Sequence, residues 1–358
     1  MIEKTSNWND PRFDTIIDVR APSEFANDHI IGAINCPVLN NNERDEVGYL
    51  YKNVSGFKAR VIGSSMTARN IASHIENNFS QFDGGWRPLV YCWRGGQRSR
   101  SMSIVLREVG WRVAVLEGGH KRYRKDVIKM LPETVKKLKV VLVSGQTGSG
   151  KTQLLSEISS LGGQVLDLEN IANHRGSLLG GFPENSQPSQ KFFESLLLNQ
   201  LTKYNEKEIV FIESESSKIG QLHIPSGLWN AMASASYVEL NAPAKARAQF
   251  LVSDYADLKK DKSRFKTFFS RASLRVGSKK IKQWLSLLEE EKWSDLALSL
   301  IDDYYDPAYI LNRSQKRNRH RLACFDYEEI TKKSLKNLAQ KLLKASNNFC
   351  FTKNNTNG

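Results

Sequence analysis

The stretch VVLVSGQTGSGKTQLL, residues 140–155, leaves the chain little choice of local architecture. An apolar run rich in valine reads as a buried strand, and the residues after Thr152 have helical spacing. Between them lie Gly145, four residues, then Gly150, Lys151 and Thr152. A glycine-rich turn between a strand and a helix wraps a di- or triphosphate in backbone N–H groups. Gly145, Gly148, Gly150, Lys151 and Thr152 are thus the phosphate-binding candidates, with Lys151 on the outer oxygens and Thr152 holding Mg2+. The pattern reads phosphates and metal, so it leaves open whether the ligand is a nucleotide or another diphosphate.

An α/β series continues from this loop. GQVLDLE, EIVFIES and ASYVELNA read as further strands. EIVFIESES ends in Glu213 and Glu215, where a carboxylate serves a metal beside the phosphates or simply meets water at a strand end. LENIANHRGSLLGGF, residues 168–182, carries His174 and Arg175 among glycines and reads either as a pocket lining or as a surface loop. From about residue 243 the chain becomes largely helical and basic. Ile281, Trp284, Leu285 and Leu288 share one helix face and are expected in a core.

Upstream, DTIIDVR, GAINCPV, PLVYC and VAVLEGG alternate with helix-like stretches, the pattern of a second α/β unit with a mostly parallel sheet. A chain of 358 residues accommodates two such domains. MLPETVKKLK, residues 130–139, is polar, carries a proline and is the expected joint. The boundaries expected are 1–135, 136–345 and a frayed tail, 346–358, with no internal repeat. No apolar run approaches the roughly 20 residues of a membrane span, and the N-terminal stretch lacks the apolar core of a secretory signal. A cytoplasmic protein with no membrane partner is expected. Cys36, Cys92, Cys324 and Cys350 show no metal-ligand spacing and are expected as free thiols. The net charge of +14 favours a polyanionic partner over a merely solvated basic surface only weakly.

VYCWRGGQRSRS, residues 90–101, sets Cys92 at a strand end before a glycine turn. Arginines and a helix N-terminus favour a thiolate. Gly95 and Gly96 allow successive N–H groups to turn inward as an anion nest, with Arg94 and Arg98 adding charge. Cys92 reads as a nucleophile; Cys36, inside GAINCPV, reads as a structural thiol.

Residues 16–38 together with this loop resemble the rhodanese family over about residues 10–130. The matching positions are Asp18, Val19, Arg20, Glu24, Phe25, His29, Ile30, Gly32 and Ala33. The resemblance implies that Cys92 carries a persulfide or its selenium analogue, a selanyl-cysteine. Five residues separate Cys92 from Arg98, one more than in common rhodaneses and the same number as in cysteine phosphatases. A longer loop suits a tetrahedral oxyanion, so selenophosphate or a phosphatase substrate both fit.

A rhodanese-like domain joined to a P-loop NTPase-like α/β domain with a helical basic C-terminal part resembles the tRNA 2-selenouridine synthase family. The resemblance runs from near the start to about residue 325, through NNERDEVGYLYK, LEGGHKRYR, LDLENIANHRGSLLG, IESESSKIG and DDYYDPAY as well as the two loops. It implies a tRNA substrate whose wobble uridine in the anticodon loop already carries sulfur at position 2. The sulfur is geranylated from geranyl diphosphate, and selenium from selenophosphate then replaces the geranylthio group. S-alkylation makes the sulfur a competent leaving group, and Lys151 with Mg2+ would stabilise departing pyrophosphate. No tightly bound cofactor is implied, and a selenophosphate-supplying enzyme is an implied partner.

KSRFKTFFSRASLRVGSKKIKQW and RSQKRNRHR supply candidate tRNA contacts: Arg264, Lys266, Arg271, Arg275, Lys279, Lys280, Arg317 and Arg319. Cations meet phosphates and interleaved aromatics stack on unpaired bases, unless the aromatics belong to a core. Two other readings stay open: an ATP-dependent tRNA sulfurtransferase, and an RNA-binding regulatory module whose cysteine is idle.

Overall fold

The computed structural model describes residues 2–175, 186–214, 216–314, 319–346 and 349, without the side chains of 257 and 312–314. Glu215, Arg317 and Cys350 lie outside the described residues. The chain divides into two compact units, Met1–Leu131 with Pro188–Asn199, and Pro132–Gln187 with Gln200–Gly358.

The first unit carries a five-stranded parallel sheet. Its elements are β1 (Glu3–Thr5), β2 (Thr15–Asp18), α1 (Pro22–Asn27), β3 (Ile34–Asn35), α2 (Asn41–Asn53), α3 (Gly56–His74), β4 (Pro88–Tyr91), α4 (Gln97–Val109), β5 (Ala114–Leu116) and α5 (Gly119–Val135). The strand order is β1-β5-β4-β2-β3. All four residues of β4 are buried, as expected of a parallel strand covered on both faces. Ile17 and Val90 from the sheet pack with Ile71 of α3 and Met102 and Leu106 of α4. At the start of α2, Asn40 accepts from the Glu43 N–H while the Glu43 carboxylate accepts from the Asn40 N–H, a reciprocal cap.

The stretch expected to be the joint is helical as far as Val135, with Pro132 inside α5. The division falls at Leu131–Pro132, inside that helix rather than in an open linker. Proline removes only one donor from a helix, and packing elsewhere along α5 holds the rest.

The second unit contains β6 (Lys139–Gly145), α6 (Lys151–Ser160), β7 (Gln164–Leu166), α7 (Leu168–Ile171), β8 (Ile209–Glu213), β9 (Lys218–Ile219), β10 (Leu222–His223), α9 (Ser226–Ser234), β11 (Ser236–Asn241), α10 (Ala244–Asp254), α11 (Lys262–Val276), α12 (Ser278–Glu289), α13 (Trp293–Leu300), α14 (Asp306–Ser314), β12 (Arg321–Asp326) and α15 (Lys332–Ser346). Helix α8 (Gln190–Leu201) precedes β8, and its residues as far as Asn199 belong to the first unit. Five strands form a parallel sheet in the order β12-β11-β6-β8-β7. Strand β6 is central, so the loop after it opens at the middle of the sheet edge. The C-terminal part is largely helical, as expected, and adds one strand, β12, in which Arg321–Asp326 pairs with β11. It lies at the edge of the sheet, and none of its residues is fully buried.

Two cores serve this unit. Val141, Val143, Phe211 and Val238 of the sheet pack against Leu154 and Ile158 of α6 and Leu338 and Leu342 of α15. A separate helical core gathers Phe265, Phe268, Phe269, Trp284, Leu288, Leu296 and Leu300. Trp284 and Leu288 are buried there, with Ile281 and Leu285 packed alongside, as the stripe predicts. Among the described residues, no helix is long and apolar enough to cross a membrane.

Candidate functional site

Cys92 directly follows strand β4, and Gly96 caps the N-terminus of α4. The Gly96 N–H donates to Cys92 Sγ at 3.2 Å, and Ser99 Oγ lies 3.3 Å from the same sulfur. Ser99 Oγ also donates to the Gly96 carbonyl at 3.1 Å. The Gly96 N–H thus meets the sulfur at the positive end of a 13-residue helix, while Ser99, whose hydroxyl proton goes to the Gly96 carbonyl, presents its oxygen to it. Cys92 is only 3% exposed.

The loop is held from behind by α5. The His120 and Lys121 N–H groups donate to the Cys92 and Trp93 carbonyls at 2.8 and 3.0 Å. Those carbonyls are thereby turned away from the sulfur. The approach needs glycine twice. Gly95 has φ +69, and a Cβ there would lie 2.7 Å from the Leu116 carbonyl oxygen. At Gly119, φ is +55 and a Cβ would lie 2.2 Å from the Cys92 oxygen.

Arg98 is engaged elsewhere. Its guanidinium pairs with Glu24 at 2.6 Å, and Arg44 meets the same carboxylate at 3.3 Å. Burial works to raise the Glu24 carboxyl, but the bonds and charge of Arg98, with the Ala21 N–H and Arg44, together hold the group below its ordinary value. Arg94 is exposed. Cys36, read from sequence as structural, is buried, and burial followed by the nearby Asp18 charge pushes its thiol up to about 12.

Behind the loop lies a buried polar cluster that sequence reasoning missed. His120 Nε2 bonds Asp28 Oδ2 at 2.9 Å, with both side chains at most 2% exposed. Arg124 approaches the same carboxylate at 3.4 Å, and Ser195 Oγ donates to its other oxygen at 2.8 Å. Burial, offset in part by Asp28, holds the His120 pKa below its ordinary value, so at neutral pH the contact is a hydrogen bond from a neutral ring. His120 and Arg124 both fall in the quoted LEGGHKRYR stretch, so that run of ionisable residues after a glycine turn was the available signal.

In the second unit, Gly145 ends β6 and Lys151 starts α6. Gly148 and Gly150 have φ +78 and +70, the left-handed conformation the loop needs. Lys151 Nζ donates to the Gly145 carbonyl at 3.1 Å. Ser149 Oγ is buried and has no hydrogen-bond partner among the described residues, an orphaned polar atom inside the phosphate cradle. Glu213 faces Val143 in the β6–β8 register and is 1% exposed. Its Oε1 accepts from the Glu169 N–H at 2.8 Å, while Glu169 Oε2 accepts from Thr152 Oγ1 at 2.8 Å. Glu169 was not foreseen, although LDLENIANHRG contains it. A hydroxyl and carboxylate oxygens suit a hard cation such as Mg2+.

His174 is buried, with its pKa lowered first by burial and then by the Arg264 charge. Arg175 lies over the Tyr255 ring at 4.8 Å. Both residues therefore pack against neighbouring side chains, unlike a plain surface loop; the rest of the glycine-rich stretch, 176–182, lies outside the described residues.

The basic segments are partly reassigned. Phe265, Phe268 and Phe269 are core residues, so they are unavailable for stacking on bases; the amphipathic spacing that interleaves them with cations turns them inward. Arg264 acts on His174, Lys266 pairs with Glu289 at 2.9 Å, and Lys280 pairs with Asp303 at 2.9 Å. Arg275 lies over the Tyr304 ring, and Arg319 donates to the Ala233 carbonyl. Arg271 and Lys279 are exposed.

Comparison with known proteins agrees with this two-site organisation. A rhodanese-like domain model matches residues 3–126, and a model described as the tRNA 2-selenouridine synthase AAA domain matches residues 138–341. The chain belongs to the tRNA 2-selenouridine synthase family. A family member from Shewanella frigidimarina is 30% identical over 333 residues, covering 85% of this chain and 90% of its own. Another, from Shewanella denitrificans, is 32% identical and covers 85% and 89%. A third, from Nitrosomonas europaea, is 34% identical over 67% of this chain and 63% of its own.

Proposed function

We propose that the protein converts 2-thiouridine at the wobble position of tRNA to 2-selenouridine in two stages, one at each loop. The observation that carries the reading is the Gly96 N–H donated to Cys92 Sγ at the N-terminus of α4, which sets a hydrogen-bond donor and the positive helix end on this sulfur.

In the first stage the phosphate loop holds the diphosphate of geranyl diphosphate. The thiocarbonyl sulfur attacks the allylic carbon, the carbon–oxygen bond breaks, pyrophosphate leaves and the uridine loses a proton. Lys151 and the loop N–H groups stabilise the departing charge. Thr152, Glu169 and Glu213 would hold Mg2+, which when bound neutralises pyrophosphate oxygens.

In the second stage electron balance decides the part of Cys92. Selenium in selenophosphate is already at the −2 level, so a selanyl-cysteine would need two electrons moved onto phosphorus. The balanced course keeps selenium reduced. Cys92 thiolate adds to the ring carbon and geranylthiolate leaves; selenophosphate selenium then displaces Cys92, and water takes the phosphoryl group as phosphate. Such a route calls for an enzyme that supplies selenophosphate.

A phosphatase needs Arg98 for substrate oxygens, and its pairing with Glu24 counts against that reading. The test is nucleoside mass spectrometry of 2-thiouridine tRNA incubated with geranyl diphosphate and selenophosphate. Wild type yields 2-selenouridine, Cys92→Ala stops at the geranylated nucleoside, and Lys151→Ala leaves 2-thiouridine. Reaction only with ATP and a sulfur donor would replace this reading with the sulfurtransferase.

A further inference from the structure

The hairpin of α2 and α3 in the first unit carries side chains that the chemistry above leaves unused. Tyr51 and Phe57 are 64% and 69% exposed, and Val54 and Val61 are more than half exposed beside them. Scattered apolar residues are ordinary on a surface, but these adjoin one another. A Cβ at Gly56, at the start of α3, would lie 3.5 Å from the Tyr51 ring and 3.7 Å from the Arg60 guanidinium. That guanidinium in turn lies 6.0 Å from the centre of the Phe57 ring. Two rings and a planar cation thus form one open patch, and Lys52 and Lys58 are exposed beside it.

The patch is continuous with the Cys92 loop. Helical spacing puts Arg44, Gly48 and Tyr51 on one stripe of α2 and sets Asp45 and Glu46 off it. Arg44 stands at the near end of the stripe, where it shares the Glu24 carboxylate with Arg98 of the loop. Gly48 puts no side chain between Arg44 and Tyr51; a Cβ there would lie 3.8 Å from Arg44 Nη1 and meet no other atom within 4 Å. From Arg44 to Tyr51 the helix rises about 10 Å, roughly the rise of three stacked nucleotides at about 3.4 Å each. Another side of α2 is already taken, since Val47 packs against Gly63 of α3.

The side chains decide what covers this stripe. Aromatic faces and arginine planes stack on unpaired bases whatever the sequence, and neighbouring cations meet the backbone phosphates. A purely apolar partner would strip water from Arg60, Lys52 and Lys58 without supplying a counter-charge. Paired bases hide their faces inside the duplex, so the rings select single-stranded nucleotides. The phenylalanines of α11 are buried in their own core, whereas the rings of this hairpin are open.

We propose that the α2–α3 hairpin is the platform for the unpaired nucleotides that flank the base presented to Cys92, with Tyr51, Phe57 and Arg60 stacking on them. The inference rests on the wobble-uridine reading above and adds the surface that takes the neighbouring nucleotides.

The experiment measures the affinity of the full-length protein for two RNAs: an anticodon stem-loop with 2-thiouridine at the wobble position, and a blunt duplex of the same number of nucleotides. Wild type prefers the stem-loop. Tyr51→Ala and Phe57→Ala each weaken stem-loop binding at least about fivefold and leave duplex binding within about twofold. Tyr51→Trp and Phe57→Trp keep the wild-type affinity, because any aromatic face serves. Both side chains stand mostly in solvent, so the variants keep the wild-type urea midpoint. Gly48→Leu, which favours the helix while obstructing the stripe, is a second probe and weakens stem-loop binding as well. Unchanged stem-loop affinity in the Tyr51→Ala/Phe57→Ala double variant overturns the proposal, and so does an equal loss on both RNAs. A dimer that the double variant splits, with stem-loop binding kept, gives the hairpin to a second copy of the chain and overturns it too. If wild type binds neither RNA, the wobble-uridine reading itself falls.

Discussion

Ser195 donates a 2.8 Å hydrogen bond to Asp28, a carboxylate with no exposed surface, across 167 residues of sequence. Most of α8 is thereby built into the first unit, and Arg124 reinforces it by pairing with Glu194 at 2.5 Å. A buried carboxylate is stable only while its lone pairs are met. Ser195→Ala removes one donor and should lower the stability of this unit by about 1–2 kcal/mol. Asp28→Ala leaves Arg124 and His120 facing an empty site and should cost about 3–5 kcal/mol. Urea unfolding of both variants measures the difference, and equal values would disprove the ranking.

His120 makes the first unit sensitive to acid. Its pKa is lowered in the folded protein, chiefly by burial, so the unfolded chain binds the proton more readily. Stability is then fully present above the ordinary histidine pKa of 6.5 and declines as pH falls below it toward the lowered folded value. Asp28, Arg20 and Asp18 face the ring, and the two carboxylates limit the shift. Denaturation at pH 7.5 and pH 5.5 should show a smaller loss for His120→Asn than for wild type.

The Gly119→Ala variant isolates the Cys92 loop. A methyl group there overlaps the Cys92 carbonyl and would lie 2.7 Å from the Gly95 nitrogen, so the loop must shift. A displacement of this kind at a reacting group costs about a hundredfold in rate. Under the proposed mechanism the geranylated nucleoside accumulates and selenium exchange slows, with geranylation unaffected. Unchanged exchange would show that the loop tolerates the displacement.

Glu169 links the phosphate loop to β8 through Thr152 and Glu213. Glu169→Ala should reduce pyrophosphate affinity about tenfold or more in the presence of Mg2+ and change it little in EDTA. Calorimetric titration under the two conditions reads the difference. An equal loss in both would make Glu169 a packing residue.

For tRNA, the exposed cations Arg271 and Lys279 are the first candidates for phosphate contacts. Replacing either with alanine should weaken binding and reduce the slope of log affinity against log salt by about 1 per contact removed. A salt dependence unchanged in the double variant would place the RNA on another face.

The sequence alone determined both loops, because each is a contiguous run. Glycine spacing between an apolar strand and a helix already marks where each chain turn needs the left-handed conformation, which Gly95, Gly148 and Gly150 adopt. The helical stripe containing Trp284 was equally legible from its period. Tertiary structure alone decided the rest. Asp28 and His120 meet across 92 residues of the first unit, Ser195 joins them because α8 returns to that unit, and Glu169, bonded to Thr152, is held by Glu213 at the end of β8. Phe265, Phe268 and Phe269 read equally well as base-stacking or core residues until the packing of α11 against α12 and α13 buried them. Local geometry follows from neighbouring residues, whereas partners far apart in the chain are chosen by strand order and by the burial of apolar faces.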